Sequence, residues 1–273
     1  MCSSLSAGGG KRICDLRLET SFEKPGSGKR NPADSFKPRL SSPFFVYPVS
    51  LHITGKLCVV VGGGNVAERK VLSLLQAHAL VRIISPQLTE VLLTETEKSA
   101  VDWRNRGYQR GDLDGALLVF AATDKKEIQH AVLRDAQQAG VLINVADAPE
   151  LCDFQVPALI RRENLHIAVS TNGASPALAA KIRRDLEKKY GDEYVILLRL
   201  MSLLRRRICR GVSSDWIERK RIFQNILHED IIDWIKEERW EQVSQHLATV
   251  LGPDIHFDLS DFTELREKEI KPR

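Results

Sequence analysis

One stretch constrains this chain more than any other: VVVGGGNVAERK, residues 59–70. Three β-branched residues that favour a strand run straight into three glycines, and a helix-forming segment follows at once. Bare backbone at such a junction lets something approach closely. The spacing Gly62-x-Gly64-x-x-Ala67 assigns the parts. Gly62 permits a tight turn, Gly64 lets a pyrophosphate reach the main chain, and Ala67 keeps the helix close to the sheet. The helix start supplies unpaired N–H groups and a partial positive charge. The expected ligand is a dinucleotide.

The neighbouring sequence provides the strand–turn–helix context that the motif requires. LCVVVG reads as a buried strand, and AERKVLSLLQAH as a helix with Val71, Leu74 and Leu75 on one face. LVRIIS is a second strand, PQLTEVLLTETEKS a second helix, VDWRNRGY a short third strand and GALLVFAAT a fourth. KKEIQHAVLRDAQQAG is a helix closed by Gly140, and VLINVA is the fifth strand. Strand and helix alternating at this spacing predicts an α/β fold with a parallel sheet. The rhythm then changes. DFQVPALIRR and NLHIAVST are two strands joined by the short turn Glu163–Asn164, a separate sheet or arm. After Ser175–Pro176 the chain reads as helical to about residue 250: ALAAKIRRDLEKKY, DEYVILLRLMSLLRRRIC, SDWIERKRIFQNIL and two shorter helices around Trp234 and Trp240.

The ends and the composition narrow the class. Residues 1–43 are rich in Gly, Ser, Pro, Lys and Arg without periodicity, and read as a disordered extension. No apolar run approaches the ~18 residues of a membrane span, and the N-terminus lacks the apolar stretch of a secretory signal, so the expected compartment is the cytoplasm. The five cysteines are scattered and form no C-x-x-C pair, so neither a disulfide framework nor a metal cluster is expected. Cys58, within an apolar strand, reads as a small core residue. The histidines show no ligand spacing, and none is nominated as a metal ligand.

The cofactor type follows from the second strand. A carboxylate usually ends it and bonds the ribose hydroxyls of NAD. Here the position reads Ile84-Ser85-Pro86-Gln87, without an acid, so Ser85 or backbone groups must hold the ribose. No arginine stands at this turn to bind a 2′-phosphate, so NAD is expected in preference to NADP. Asp147 lies just past the fifth strand, at the carboxyl edge where open α/β sheets bind ligands. There it can take a proton while hydride leaves a substrate for the nicotinamide, or it can merely turn the chain before Ala148-Pro149.

Four segments together, GGGNVAERK, FAATDKKEIQHAV, NVADAPELCDFQVPALI and IAVSTNGASPALAAKIR, resemble the N-terminal module of siroheme synthases, in unbroken order over about residues 45–250. That module is a precorrin-2 dehydrogenase and, in several members, also a sirohydrochlorin ferrochelatase. The resemblance implies a homodimer with a Rossmann-like NAD-binding domain (44–152), a small dimerisation region (153–191) and an all-helical C-terminal domain (192–273). It implies NAD-dependent dehydrogenation of precorrin-2 to sirohydrochlorin, with Fe²⁺ as a second substrate where chelation occurs, and it places the family's acid at Asp147. It sets Asn65 and Val66 against the pyrophosphate, Pro86 and Gln87 at the ribose-side turn, and Thr123 and Asp124 beside the nicotinamide half.

The glycine-bearing loop Thr171-Asn172-Gly173, with Ser175, is the family's match for a substrate-binding segment, ahead of a helix start suited to a carboxylate. Ser175 with Pro176 also reads as an ordinary N-cap. Asp124 has a similar plain reading, as the cap of the helix starting at Lys125. A polycarboxylate macrocycle needs cations, and the candidates are Arg69, Lys70, Arg161, Arg162, Lys181, Arg183 and Arg184. The competing class is an NAD(H)-responsive regulatory binder with a basic helical tail around Arg205–Arg207 gripping nucleic acid. Apolar Ile196, Leu197, Leu200, Leu203 and Leu204 in that tail point to packing instead, so neither nucleic acid nor membrane is the expected partner.

Overall fold

A computed structural model describes residues 46–98, 100–211 and 216–252. The extension expected over 1–43 and the end of the expected helical domain lie outside these residues. The described chain begins without regular structure and enters β1 (Leu57–Val61), α1 (Asn65–Gln76), β2 (Leu80–Ile84), α2 (Glu90–Glu97), β3 (Val101–Arg104), β4 (Ala116–Ala121), α3 (Lys126–Ala139) and β5 (Leu142–Val145). These strands form one parallel sheet in the order β3-β2-β1-β4-β5. Winding runs outward from β1 through β2 to β3, then restarts at β4 on its other side. The crevice between β1 and β4 is therefore a topological switch point, where ligands of such sheets bind.

Why these strands read as unbroken apolar runs is visible in the packing. In β1, Cys58 and Val60 face α1 and α2 with Val81, Ile83 and Phe120. Val59 and Val61 face the opposite side with Val119, Ile143, Val145 and the buried face of α3. A strand covered on both faces has no position left for a polar side chain. Each large aliphatic group removed from water here contributes about 1.5–3 kcal/mol. No helix joins β3 to β4. The connection is a loop tied down by Arg106, whose two terminal nitrogens donate to the Asp112 carboxylate at 2.8 and 2.7 Å.

Boundaries differ from the sequence reading where backbone chemistry overrides pattern. α1 starts at Asn65, two residues early, with Gly64 as its N-cap. α2 starts only at Glu90, because Thr89 is extended and caps it, its hydroxyl accepting from the Leu92 N–H. Gly140 closes α3 at φ +69°, as expected. The first strand of the arm begins after Pro157, which has no N–H to donate to a ladder.

That arm is an antiparallel hairpin, β6 (Ala158–Arg162) and β7 (Leu165–Val169), turning at Glu163–Asn164. It leads into α4 (Pro176–Lys189), and α5 (Glu193–Gly211) follows. Leu197, Leu200, Leu204 and Ile208 form one buried stripe of α5, at helical spacing. They pack with α6 (Trp216–Ile226), α7 (Ile231–Lys236) and α8 (Trp240–Leu251) into a core separate from that of the sheet. Ile196 and Leu203 pack against it as well, so the apolar residues of the basic tail are core residues.

Candidate active site at the carboxyl edge of the sheet

Each of the three glycines has a different reason to be glycine. Gly62 has φ +126°, and a Cβ there would lie 2.1 Å from the Ala122 carbonyl oxygen. A Cβ on Gly63 would lie 1.9 Å from the Gln87 carbonyl oxygen and 2.8 Å from Ser85 Oγ. These two positions are closed by the protein itself. A Cβ on Gly64 would meet nothing within 4 Å, and its φ is an ordinary −89°. The room at Gly64 opens onto the start of α1, which carries no side-chain cap; Asn65 and Val66 are exposed there. Open space before uncapped N–H groups fits a pyrophosphate. Gly63 is the residue that pattern matching treats as filler, and only the unbroken run of glycines hinted at it.

The ribose-side turn packs against this loop. Thr89 N–H donates to the Gly63 carbonyl at 3.0 Å, and the Thr89 hydroxyl donates to the Glu68 carboxylate at 2.6 Å. Ser85 is buried. Its hydroxyl donates to the Gln87 carbonyl at 2.6 Å and accepts the Gln87 N–H at 3.4 Å, so it closes the turn from within. Trp103 Nε1 donates to the Ser85 carbonyl at 2.9 Å. Pro86 and Gln87 are the exposed members of the turn.

Past β4, the Thr123 hydroxyl accepts the Lys125 N–H at 3.3 Å, and Gln129 Nε2 donates to the Thr123 carbonyl at 2.6 Å. Asp124 is exposed and does not cap the helix: the N-cap is Lys125, with no side-chain bond. The capping explanation is removed, which leaves the Asp124 carboxylate at the rim.

Past β5, Asp147 is exposed at φ +60°, in the left-handed region that Asp tolerates better than most residues. Its neighbour Ala146 donates to the Ala121 carbonyl at 3.0 Å, stitching this turn to the end of β4. Two strand spacings, roughly 10 Å, separate it from the glycine loop. The turn is held from beneath by Cys152. Its thiol accepts the Val145 N–H at 3.2 Å, and lies 3.4 Å from the Val145 and Ala148 carbonyl oxygens as donor. Asn144 Nδ2 reaches the same sulfur at 3.5 Å and the Phe154 carbonyl at 3.0 Å. Burial pushes the Cys152 thiol above its ordinary value, which keeps the S–H donor in place. Sequence reasoning passed over Cys152 and Asn144, because a lone cysteine and a strand asparagine carry no signal of their own.

The glycine loop, the 85–87 turn, Thr123, Asp124 and Asp147 thus stand along one sheet edge. The Thr171–Ser175 loop stands elsewhere, between β7 and α4. Asn172 and Gly173 both have positive φ, Thr171 Oγ1 accepts the Ser175 N–H at 3.1 Å, and Ser175 Oγ caps α4 through the Leu178 N–H at 3.2 Å. Its cap role is as expected, and these hydrogen bonds are all local.

The candidate cations divide sharply. Arg162 is buried beside Glu187 and Asp192, Arg183 donates to Glu187 at 2.6 Å, and Arg161 reaches Gln76 at 3.1 Å. Lys70 is half-buried, its ammonium 5.5 Å from the centre of the Phe120 ring. Among the described residues no group of three or more His, Cys, Asp or Glu could hold a metal ion, and no helix is long and apolar enough to cross a membrane.

Comparison with known proteins agrees with this geometry. Residues 49–158 match a family described as "Putative NAD(P)-binding", and residues 158–189 match one described as "Sirohaem biosynthesis protein central". A siroheme synthase of Nitrosococcus oceani is 36% identical over 205 residues, which is 75% of this chain and 43% of that protein. One from Methylobacillus flagellatus is 33% identical over 204 residues, 74% of this chain and 44% of that protein. The chain therefore spans less than half the length of these relatives. A solved structure titled "SirC, precorrin-2 dehydrogenase" superposes with a TM-score of 0.62 at 23% identity, covering 73% of this chain and 100% of that one, which shows the shared fold. With both family segments in order and abutting at residue 158, the chain is similar to the siroheme synthases along its NAD(P)-binding and central segments.

Proposed function

We propose that this chain is an NAD-dependent precorrin-2 dehydrogenase, which removes a hydride and a proton from precorrin-2 to give sirohydrochlorin. One observation carries the reading: an exposed carboxylate, Asp147, is fixed on the same sheet edge as a glycine loop with room for a pyrophosphate, in a chain similar to siroheme synthases. Gly62, Gly64, Asn65 and Val66 hold the pyrophosphate. Pro86, Gln87 and the backbone at Ser85 face the adenosine ribose, while Thr123 and Asp124 border the nicotinamide half. NAD⁺, when bound, supplies the hydride acceptor. Asp147 takes the proton on its carboxylate, and the left-handed turn keeps that group at the rim rather than folded over its own strand. The loop of Thr171, Asn172, Gly173 and Ser175 binds the macrocycle.

Siroheme is the iron complex of the proposed product, and the relatives bear its name, so Fe²⁺ is a proposed second substrate at the same site. The same carboxylate would accept protons from the pyrrole nitrogens, and the macrocycle itself supplies the donors that the described residues do not. The chain is further proposed to work as a cytoplasmic homodimer joined through its 153–191 region. Exposed Val156 and Leu159 support that surface.

The test is an anaerobic assay of the purified chain with precorrin-2 and NAD⁺, with and without Fe²⁺, following NADH and macrocycle absorbance together. Equal amounts of NADH and sirohydrochlorin are expected. Absence of NADH formation with intact NAD⁺ binding overturns the dehydrogenase reading.

A further inference from the structure

We infer that Lys70 is a carboxylate-binding residue, whose ammonium receives an acidic side chain of the macrocycle next to the Asp147 turn. The inference rests on the dehydrogenase reading above and names one contact within it.

α1 turns Ala67, Val71 and Leu74 into the sheet, and Lys70 projects from its flank over β4. The ammonium stands over Phe120, which meets Phe154 edge-on with ring centres 5.3 Å apart. The Phe154 carbonyl in turn accepts from Asn144 Nδ2 at 3.0 Å, on β5, the strand that leads into the Asp147 turn. The cation therefore stands over the carboxyl end of β4, next to the strand that leads into the turn carrying the acid.

The local charge is out of balance. A partly buried ammonium normally stands against a carboxylate, because leaving water is costly without one. Most of the paired cations near the sheet and hairpin follow that rule: Arg82 and Arg104 share Asp102, Arg106 holds Asp112, Arg162 lies by Glu187 and Asp192, and Arg199 holds Glu163, whereas Arg161 reaches only the neutral Gln76 amide. Lys70 forms no ion pair among the described residues, and its contact is the Phe120 face. Burial, together with the charge of Arg69, pushes its pKa below the ordinary lysine value. A partly desolvated cation without an acid fits an anion, and with the pyrophosphate held at the start of α1, the anion left for Lys70 is a carboxylate of the tetrapyrrole.

The plain alternative is a side chain that only lids Phe120. Lys70→Met keeps that lid and removes the charge, while Lys70→Arg keeps a cation. The full chain and both variants are titrated with uroporphyrin III, a stable tetrapyrrole polycarboxylate, and with NADH, and assayed on precorrin-2. Lys70→Met is expected to bind uroporphyrin III about 10- to 100-fold more weakly, the range of one charge-assisted hydrogen bond. The same factor is expected in KM rather than kcat, with NADH affinity and thermal midpoint unchanged, and Lys70→Arg should recover most of the loss. Wild-type affinity and KM in Lys70→Met overturn the inference while leaving the dehydrogenase intact. A wild-type chain that neither binds uroporphyrin III nor oxidises precorrin-2 overturns both.

Discussion

The turn after β1 and the turn after β5 occupy the same edge of one sheet, yet they are built by opposite means. At Gly62–Gly64 the chain makes a place by leaving atoms out: two glycines admit neighbouring backbone and the third leaves open space. At Asp147 the chain keeps a full side chain in a left-handed conformation that glycine would adopt with less strain. The first turn needs no side-chain support, since absent atoms need none. The second depends on the Cys152 sulfur and Asn144 behind it. A binding cradle can be made by subtraction, whereas a proton acceptor must be present and held. Even the two described free thiols follow the division: Cys58 is packing beneath the glycine loop, and Cys152 is a hydrogen-bonded strut beneath the acid.

Substitutions can break this contrast. The largest effect is expected from Asp147→Asn, which keeps volume and tolerance of positive φ but removes the base. Precorrin-2 oxidation should slow by about 10²- to 10⁴-fold, the usual worth of general base catalysis, with NADH binding and thermal midpoint unchanged. An unchanged rate would reduce the β5 turn to a chain reversal. Next comes the pair Gly63→Ala and Gly64→Ala. The first drives a methyl group into the Gln87 carbonyl and should cost about 3 kcal/mol or more in urea unfolding. The second should leave stability within about 1 kcal/mol and instead weaken NADH binding in a fluorescence titration. Equal stability losses at both positions would end the distinction between inner and outer glycines.

The thiols give smaller effects. Burial pushes Cys58 up to about 11. The unfolded chain then loses its thiol proton first as pH rises. Stability is full below the ordinary thiol value and declines as pH climbs toward about 11, by a quantity on the order of 2 kcal/mol. Cys58→Ala should flatten that alkaline decline in unfolding measured from pH 8 to 11. For Cys152 the contrast is chemical: Cys152→Ala removes the strut and should lower kcat about tenfold with KM for NAD⁺ unchanged, while Cys152→Ser restores a donor and acceptor and most of the rate. Equal rates in the two variants would show that the turn stands without its sulfur.

Much of the scaffold was legible in the residues. The unbroken apolar strands, the helix periodicities, Gly140 as a helix end, Ser175 with Pro176 as a helix start, and the hairpin at Glu163–Asn164 are local signals, decided within a few residues by sterics and hydrogen bonding. Gly62 and Gly64 belong with them, because a strand–glycine–helix junction announces close approach by itself. What tertiary structure decided is everything that depends on a partner far along the chain. Gly63 is required only because the turn at Gln87 packs on it, and Ser85 turned out to brace its own turn. Asp124 is not a cap, Arg162 is buried among acids, and Lys70 is left without one. Sequence sets the backbone's local choices, because those energies depend on neighbours in the chain. Which side chains are engaged, and which remain open to a ligand, depends on neighbours in space.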